Sequence, residues 1–238
     1  LLSIDFLSEP DFVASILPPP LEPADSPTLT AMIGRWQSNC VADFYGGAIY
    51  VAARHQGVEG RYVLAMYMDD DVPMIYGRDL FGEPKKLARS ELYRRGDQHS
   101  GWLERNGVNI IELRADVPED LGPSEGEGVN FNFKARPAAN GIGLEEDAIL
   151  TQANFHSVVR VARVGTGSLT LRGTVHDPLD EIPIVSIVSA AFVECDLIAS
   201  CESVATVPGD VFAPYHHGRH DDWSALDTES ASLVAVTS

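Results

Sequence analysis

Short strand-forming segments separated by tight turns are the feature that most restricts how this chain can fold. Asn106-Gly107 carries the strongest short signal for a hairpin turn, and Arg95-Gly96-Asp97 is a second turn. They separate three consecutive antiparallel strands, predicted at 87–93, 99–104 and 108–113. Further strands rich in β-branched and aromatic residues are predicted at 28–36, 44–53, 61–68, 129–135, 155–163 and 168–175. Hairpin-linked strands with little helix predict an antiparallel barrel or sandwich.

One helix is predicted with well-defined ends, close to the N-terminus. Ser8 is expected to cap it, and Asp11 lies three residues further on, in the first turn. The helix should extend to Leu17 and end at Pro18-Pro19-Pro20, because proline cannot continue a helix. Together with a proline-rich connection it forms an N-terminal segment, residues 1–27.

The rest of the chain adds loops and a tail to a single domain, residues 1–238. Residues 122–128 are acidic and glycine-rich and predict a loop. The apolar run at 185–205 predicts either β structure or a buried helix followed by a strand, which periodicity does not separate. The polar tail, 208–238, is expected to be a mobile arm or a surface extension.

Charge excludes two classes of partner. The chain has 35 acidic and 17 basic residues, a formal net charge of −18. Such a surface repels nucleic acid and anionic membranes, so neither is expected as a partner. No apolar run reaches transmembrane length, and the cytoplasm is the expected compartment.

Cysteine and histidine usage indicates neither a disulfide framework nor a metal site. The odd number of cysteines predicts small core residues in a reducing compartment: Cys40, Cys195 and Cys201. His216-His217 and His220-Asp221-Asp222 contain metal-ligand residue types. A polar terminal segment is more often solvated, so no metal is predicted.

The residues with the most distinctive chemistry are Lys85 and Lys86, which follow Pro84 in a segment otherwise apolar or glycine-rich. An ammonium group with neighbours such as Phe81 and Leu87 loses contact with water, which favours the neutral amine. A neutral lysine amine can attack a carbonyl carbon and form a Schiff base. The ordinary alternative is a strand that ends in a solvated Lys-Lys turn, since most charged side chains are exposed.

This segment resembles the signature of the acetoacetate decarboxylase family. The matching residues are Gly77-Arg78-Asp79 and Phe81-Gly82-x-Pro84-Lys85-Lys86-Leu87-Ala88. Residues 178–184 with Ile187-Val188-Ser189 are similar to a second pattern of the family, late in its chain. The likeness covers most of residues 21–205, and only its Pro-Lys-Lys motif is highly specific.

The resemblance implies a catalytic lysine and a fold. Lys85 would be the nucleophile and Lys86 its neighbour in the active site. The implied fold is α+β and mainly β, a closed antiparallel β-barrel with a few short helices and the lysine in an internal cavity. The family also implies a homo-oligomer that acts on a small keto acid without a cofactor, because the covalent lysine imine supplies the chemistry.

Two departures from the family concern charged groups around the lysine. The family holds the substrate carboxylate with an arginine near the N-terminus, which has no aligned counterpart here; Arg35 and Arg54 are candidate substitutes. Phe44 occupies the position of a family glutamate. Asp43 takes that place only if the strand register shifts by one residue, which moves a side chain to the other face.

The third departure is Glu83, where many family members have an aromatic ring. Pro84 favours an extended residue before it, and residues 83 and 85 of an extended chain point the same way. The Glu83 carboxylate is therefore expected beside the Lys85 amine, where it favours the charged ammonium or supplies general acid–base catalysis. The alternative is that Glu83 pairs with Arg78 or Lys86.

These residues support a carbon–carbon lyase that decarboxylates a small β-keto acid through a Lys85 imine. An aldolase–dehydratase that joins pyruvate or a related keto acid to an aldehyde is the alternative reaction of the same imine. A non-catalytic barrel that binds an apolar ligand is the alternative from another class. Contacts with the substrate are expected from a set of five residues: Phe44, Met66, Arg78, Phe81 and Arg35.

Overall fold

The structure is a computed structural model that describes residues 1–220, with side chains up to residue 216. Its strands are β1 (Leu2–Leu7), β2 (Glu22–Pro23), β3 (Thr28–Ser38), β4 (Ala42–His55), β5 (Val58–Met68), β6 (Lys85–Leu87), β7 (Arg89–Arg95), β8 (Gln98–Arg105), β9 (Val108–Asp120), β10 (Ser124–Lys134), β11 (Ala148–Leu171) and β12 (Ser186–Val207). The helices are α1 (Pro10–Ile16), α2 (Asp71–Tyr76) and α3 (Gly209–His220), with a π-helical turn at Gly77–Phe81 and a 3-10 turn at Leu179–Glu181. A mainly β fold with a few short helices is confirmed.

The strands form one mixed sheet. Following the pairings from β10 through β5, β4, β3, β1, β12 and β11 leads back to β10. The order is β10-β5-β4-β3-β1-β12-β11-β9-β8-β7, and β10 also pairs with β11. The junction between β10 and β5 is parallel and consists of two pairs, Asn130 with Arg61 and Phe131 with Tyr62. The β5–β6 pairing is parallel as well. The sheet is thus predominantly antiparallel, and its closure as a barrel stays a prediction.

The N-terminal residues form a strand that the sequence analysis did not predict. β1 lies between β3 and β12, and three alternate side chains are fully buried: Leu2, Ile4 and Phe6. The predicted cap at Ser8 is wrong. The Ser8 N–H instead donates to the carbonyl oxygen of Pro27 at 3.0 Å, and Glu9 takes the N-cap position without a side-chain hydrogen bond.

Two segments predicted as irregular are regular. Residues 124–128 of the predicted loop belong to β10, because they pair with residues 155–159 of β11. The start of the predicted polar tail forms α3, which buries Phe212 completely with its ring stacked 4.5 Å from Phe133. The run at 185–205 is a strand, the β alternative. The tail beyond residue 220 lies outside the described residues.

The β-sheet separates two groups of buried side chains. The larger core contains Ile33, Ile49 and Tyr67 on one face. A smaller cluster, here called the second cluster, lies on the opposite face: Met32, Ala48, Tyr50, Val63, Met66 and Met68. Register confirms this division, since Met32 pairs with Ala48, and Ala48 with Met66. None of the helices within residues 1–220 is long and apolar enough to cross a membrane.

Candidate active site

Lys85 begins β6 and lies opposite Met66 of the parallel neighbour β5. Helix α2 and the π-helical turn lead the chain to this point. Asp70 caps α2 by accepting a hydrogen bond from the Val72 N–H at 2.9 Å. Gly82 ends the turn at a φ of 76°, in the left-handed region that favours glycine. The segment before Lys85 is therefore a short helix followed by a π-helical turn.

Lys85 and Lys86 are both buried, with 7% and 6% of their surface exposed. The alternative of a solvated Lys-Lys turn is wrong. Neighbouring residues of a strand point to opposite faces, so the two ammonium groups enter different parts of the protein. Lys85 shares the face of Met66 and the second cluster, whereas Lys86 shares the face of Tyr67 and the larger core.

The Lys85 ammonium group forms a buried ion pair. Its Nζ lies 2.8 Å from Oε2 of Glu83, and their side chains are 9% and 11% exposed. Nζ also donates a hydrogen bond to the Pro73 carbonyl oxygen at 3.1 Å, and it lies 5.9 Å from the centre of the Phe44 ring. The structure thus assembles four of the predicted site residues, Lys85, Glu83, Phe44 and Met66, at one place.

Gly77 provides the space for this ion pair. Its backbone is right-handed helical, with φ −68° and ψ −38°, a conformation open to any residue. A Cβ atom there would lie 2.5 Å from Nζ and 2.6 Å from Cδ of Lys85, and would also collide with Oε2 of Glu83. Any side chain at position 77 must therefore displace the amine.

Tyr50 adds a neutral hydroxyl to the second cluster. Burial raises the pKa of Tyr50 to about 12; the Arg61 charge lowers it in part, and the Glu83 charge raises it. Tyr50 therefore keeps its proton at neutral pH and remains a hydrogen-bond donor, close enough to Glu83 for that carboxylate's charge to affect its pKa. The stacked rings of Trp36 and Phe44, 5.3 Å apart, pack against the same cluster.

Lys86 belongs to a separate buried network centred on Asp177. Its Nζ donates to Asp177 Oδ1 at 2.9 Å and to the His176 carbonyl oxygen at 2.6 Å. Tyr67 donates to Oδ1 at 2.9 Å, and Arg105 Nε to Oδ2 at 2.8 Å. These bonds connect β5, β6 and β8 to the segment at 176–178. Lys86 is thereby held on the core face, away from the Lys85 amine.

The other predicted site residues do not join Lys85. Arg35 and Asp43 pair with each other at 3.2 Å, each about half exposed. The register stays unshifted, so Asp43 lies on the opposite face from Phe44. Arg78 is exposed on the π-helical turn. Phe81 is half-buried, and its carbonyl oxygen accepts a hydrogen bond from a threonine of β11 at 2.5 Å.

Sequence reasoning missed several residues of the site. Tyr50 had a signal, because it is two positions from Ala48 and must share its face in a strand. Gly77 was recognisable only as part of a motif, and its steric role depends on how the π-helical turn places it against Glu83 and Lys85. Asp177 had no signal, since nothing local distinguishes it from the other aspartates of an acidic chain.

The fold and the site together define a mainly β protein with a buried amine–carboxylate pair on an apolar face. Within the described residues, no three histidine, cysteine, aspartate or glutamate side chains converge as a metal site would require. The clustered residues from His217 onward lie outside the described side chains.

The chain belongs to the acetoacetate decarboxylase family. The family model described as Acetoacetate decarboxylase (ADC) matches residues 1–206. Acetoacetate decarboxylase 1 of Bradyrhizobium diazoefficiens is 29% identical over 210 residues, which cover 85% of this chain and 82% of the relative. Family membership supports a decarboxylase-like enzyme.

Solved structures show the same fold. Acetoacetate decarboxylase of Legionella pneumophila superposes with a TM-score of 0.76 and 25% identity, covering 86% of this chain and 84% of the other. The enduracididine biosynthesis enzyme MppR, complexed with the condensation product of pyruvate and imidazole 4-carboxaldehyde, gives a TM-score of 0.75 at 16% identity, covering 85% and 86%. One fold therefore occurs in enzymes with different names and ligands.

Proposed function

We propose that the protein decarboxylates a small β-keto acid through an imine formed by Lys85. The observation that carries this proposal is the buried Lys85–Glu83 pair, 2.8 Å apart and on an apolar face. A lysine held away from water beside a proton acceptor has the two properties that imine formation needs. The curated relative with the name acetoacetate decarboxylase supports the same reaction class.

The residues suggest the following steps. Glu83 takes a proton from the Lys85 ammonium group, and the neutral amine attacks the ketone carbon. Glu83 returns that proton to the carbinolamine oxygen and then carries a second proton from the nitrogen to the carbinolamine hydroxyl, so that water leaves and a protonated imine remains. The bond to the carboxylate then breaks, carbon dioxide departs, and the imine nitrogen accepts the electron pair as an enamine forms. Protonation of the enamine carbon and hydrolysis release the ketone, so no cofactor is required.

Borohydride trapping tests this mechanism directly. The chain contains three lysines, Lys85, Lys86 and Lys134, so a reduced adduct is easily assigned by mass spectrometry of a digest. Treatment with acetoacetate and borohydride should modify Lys85 alone. Lys85→Ala should abolish the adduct, while Lys134→Ala should keep it. An adduct that survives Lys85→Ala would refute the proposal.

Glu83→Gln tests the acid–base role. The variant preserves shape and removes the proton acceptor, so the rate of adduct formation and of decarboxylation should fall by about 100-fold or more. The exposed Glu91 provides a matched control, since Glu91→Gln should retain the wild-type rate. Full activity of Glu83→Gln would remove Glu83 from the mechanism.

An aldolase–dehydratase reaction is a second candidate, and Glu83 favours it. Removal of an α-proton from a pyruvate imine needs a positioned base, and Glu83 lies within 2.8 Å of the amine. NMR of the protein with acetoacetate, and separately with pyruvate and an aldehyde, distinguishes the two reactions. Condensation without loss of carbon dioxide would replace the first proposal with the second.

We also propose that the protein is a homo-oligomer. Several large apolar residues of the β12 region are exposed in the single chain: Val185, Val188, Leu197 and Ile198, at 55%, 56%, 45% and 68%. Exposed large apolar residues are commonly covered by a second copy of the chain, and identical chains assemble with closed symmetry.

A further inference from the structure

Asn132 of β10 is a buried amide without a hydrogen-bond partner. Its surface is completely buried, and neither Oδ1 nor Nδ2 has a partner among the residues the structure describes. Burial removes an amide from water, and this costs free energy unless a hydrogen bond replaces the water. Such a group in a native fold calls for a partner from outside the chain, either a ligand or an ordered water molecule.

The register places this amide on the face of Lys85. β10 and β6 pair with the same edge of β5, at Arg61–Tyr62 and at Met66–Met68. The pairing ends at Phe131 with Tyr62, and one residue further on Asn132 comes level with Val63 of the second cluster. Its strand neighbours Phe131 and Phe133 both belong to the larger core, so Asn132 points to the opposite face. Val63 and Met66 are three residues apart on β5, roughly 10 Å along the strand, and the β-bulge between them lets both point to one face.

The segment that carries Glu83 is fixed against the surroundings of Asn132. Thr151 pairs with Asn132 across β10 and β11, and its hydroxyl group donates to the Phe81 carbonyl oxygen at 2.5 Å. A Cβ atom on Gly82 would lie 2.7 Å from the main chain at residues 133–134, so the turn touches β10 directly. The amide and the Lys85–Glu83 pair therefore belong to one continuous site.

A positive charge lies at the Asn132 end of this face. The guanidinium group of Arg61 stacks over the Tyr50 ring at 4.8 Å, and no ion pair to a carboxylate is found for it within residues 1–220. Arg54, by contrast, is neutralised by Asp25 at 3.0 Å. In a chain with a net charge of −18, this unneutralised cation favours an anionic group here.

We propose that Asn132 is a substrate-binding residue, whose Nδ2–H donates a hydrogen bond to the carboxylate of the keto acid that reacts with Lys85. This inference rests on the proposed function. It assigns the two ends of the substrate to two strands: the ketone to β6, and the carboxylate to β10, with the second cluster between them. The hydrogen bond from the neutral amide fixes the carboxylate, and the Arg61 charge at this end of the face favours its binding.

Binding of butyrate tests the role of Asn132 without any chemistry at Lys85. Butyrate carries the carboxylate and chain length of acetoacetate but has no ketone. Asn132→Leu should weaken its binding, measured by NMR titration, by about 10-fold or more, as expected for one lost hydrogen bond to a charged group. The exposed Asn109 supplies the control, Asn109→Leu. Wild-type affinity in Asn132→Leu, or no butyrate binding to the wild-type protein, would refute the inference.

Borohydride trapping with two ketones separates this inference from the proposed function. In Asn132→Leu, trapping of acetoacetate should slow about 10-fold, while trapping of acetone, which has no carboxylate, should stay within twofold of wild type. If trapping of acetoacetate and of acetone slowed equally, Asn132 would act on the Lys85 amine and not on the carboxylate, and the inference would be overturned. Absence of trapping in the wild-type protein would overturn the Lys85 mechanism. The butyrate titration would then still test whether Asn132 binds a carboxylate.

The stability of Asn132→Leu distinguishes binding from a structural role. The amide makes no hydrogen bond within the described protein, so its replacement by a similar apolar side chain should leave the unfolding temperature unchanged or raise it. A clearly lower unfolding temperature would show that the amide stabilises the fold, against the inference.

Discussion

Replacement of Gly77 by alanine should inactivate the protein without unfolding it. Gly77 has right-handed helical φ and ψ, so alanine fits the backbone and favours the helix by about 1 kcal/mol. The new Cβ atom, however, would lie 2.5 Å from the Lys85 Nζ. The perturbation is therefore a single methyl group directed at the reactive amine.

The structure gives the size of the effect. Ordinary contacts of a Cβ atom begin near 3.4 Å, so a contact at 2.5 Å requires the amine to move by roughly 1 Å. A displacement of about 1 Å from reactive geometry can lower a rate about 100-fold. We therefore expect kcat/KM to fall about 100-fold in Gly77→Ala, with borohydride trapping at Lys85 slowed to a similar degree.

The assay compares Gly77→Ala with Gly126→Ala. A Cβ atom on Gly126 meets no other atom within 4 Å, so this control carries the same chemical change without a collision. Circular dichroism should show that both variants fold, and the control should trap acetoacetate at the wild-type rate. Trapping within threefold of wild type in Gly77→Ala would refute the placement of the amine beneath Gly77.

Three other predictions concern stability, pH and assembly. Asp177→Asn should lower the free energy of unfolding by about 3–5 kcal/mol, because it removes the charge of a fully buried carboxylate that both Lys86 and Arg105 contact, whereas Asp43→Asn at the surface should cost about 1 kcal/mol or less in the same urea titration. Burial raises the pKa of Tyr50 to about 12, above its value of about 10 in the unfolded chain. The stability that the neutral hydroxyl contributes is therefore fully present below pH 10 and is lost as the pH rises toward 12. Tyr50→Phe should therefore lose less stability than wild type between pH 9 and 11, and equal slopes would contradict the assignment. Light scattering at micromolar concentration should show a homo-oligomer, and a monomer would exclude one.

Local sequence determined much of the β architecture, because turns are encoded by adjacent residues. Asn106-Gly107 and Arg95-Gly96-Asp97 lie at the β8–β9 and β7–β8 connections, as predicted. Strand β1 had the alternation of Leu2, Ile4 and Phe6 but no turn signal on either side, and its position depends on pairing with β3 and β12. A long-range pairing of this kind leaves little trace in a short window of sequence.

The sequence alone determined which residues carry unusual chemistry. Pro84-Lys85-Lys86 was recognisable as a motif, and Glu83 was expected beside Lys85 because extended residues two apart point the same way. The structure confirms that contact, with an N–O distance of 2.8 Å. Identity and spacing within a strand are local properties, which is why this part of the site was predictable.

Tertiary structure alone decided how the two lysines differ. Both follow the same proline, yet Lys85 faces the second cluster and Lys86 is tied to Asp177, a residue far along the chain. It also decided that Asn132 shares the face of Lys85, through the common edge of β5. These relations arise when distant strands pair and bury one another's faces, and the free energy of such contacts is absent from any local stretch of sequence.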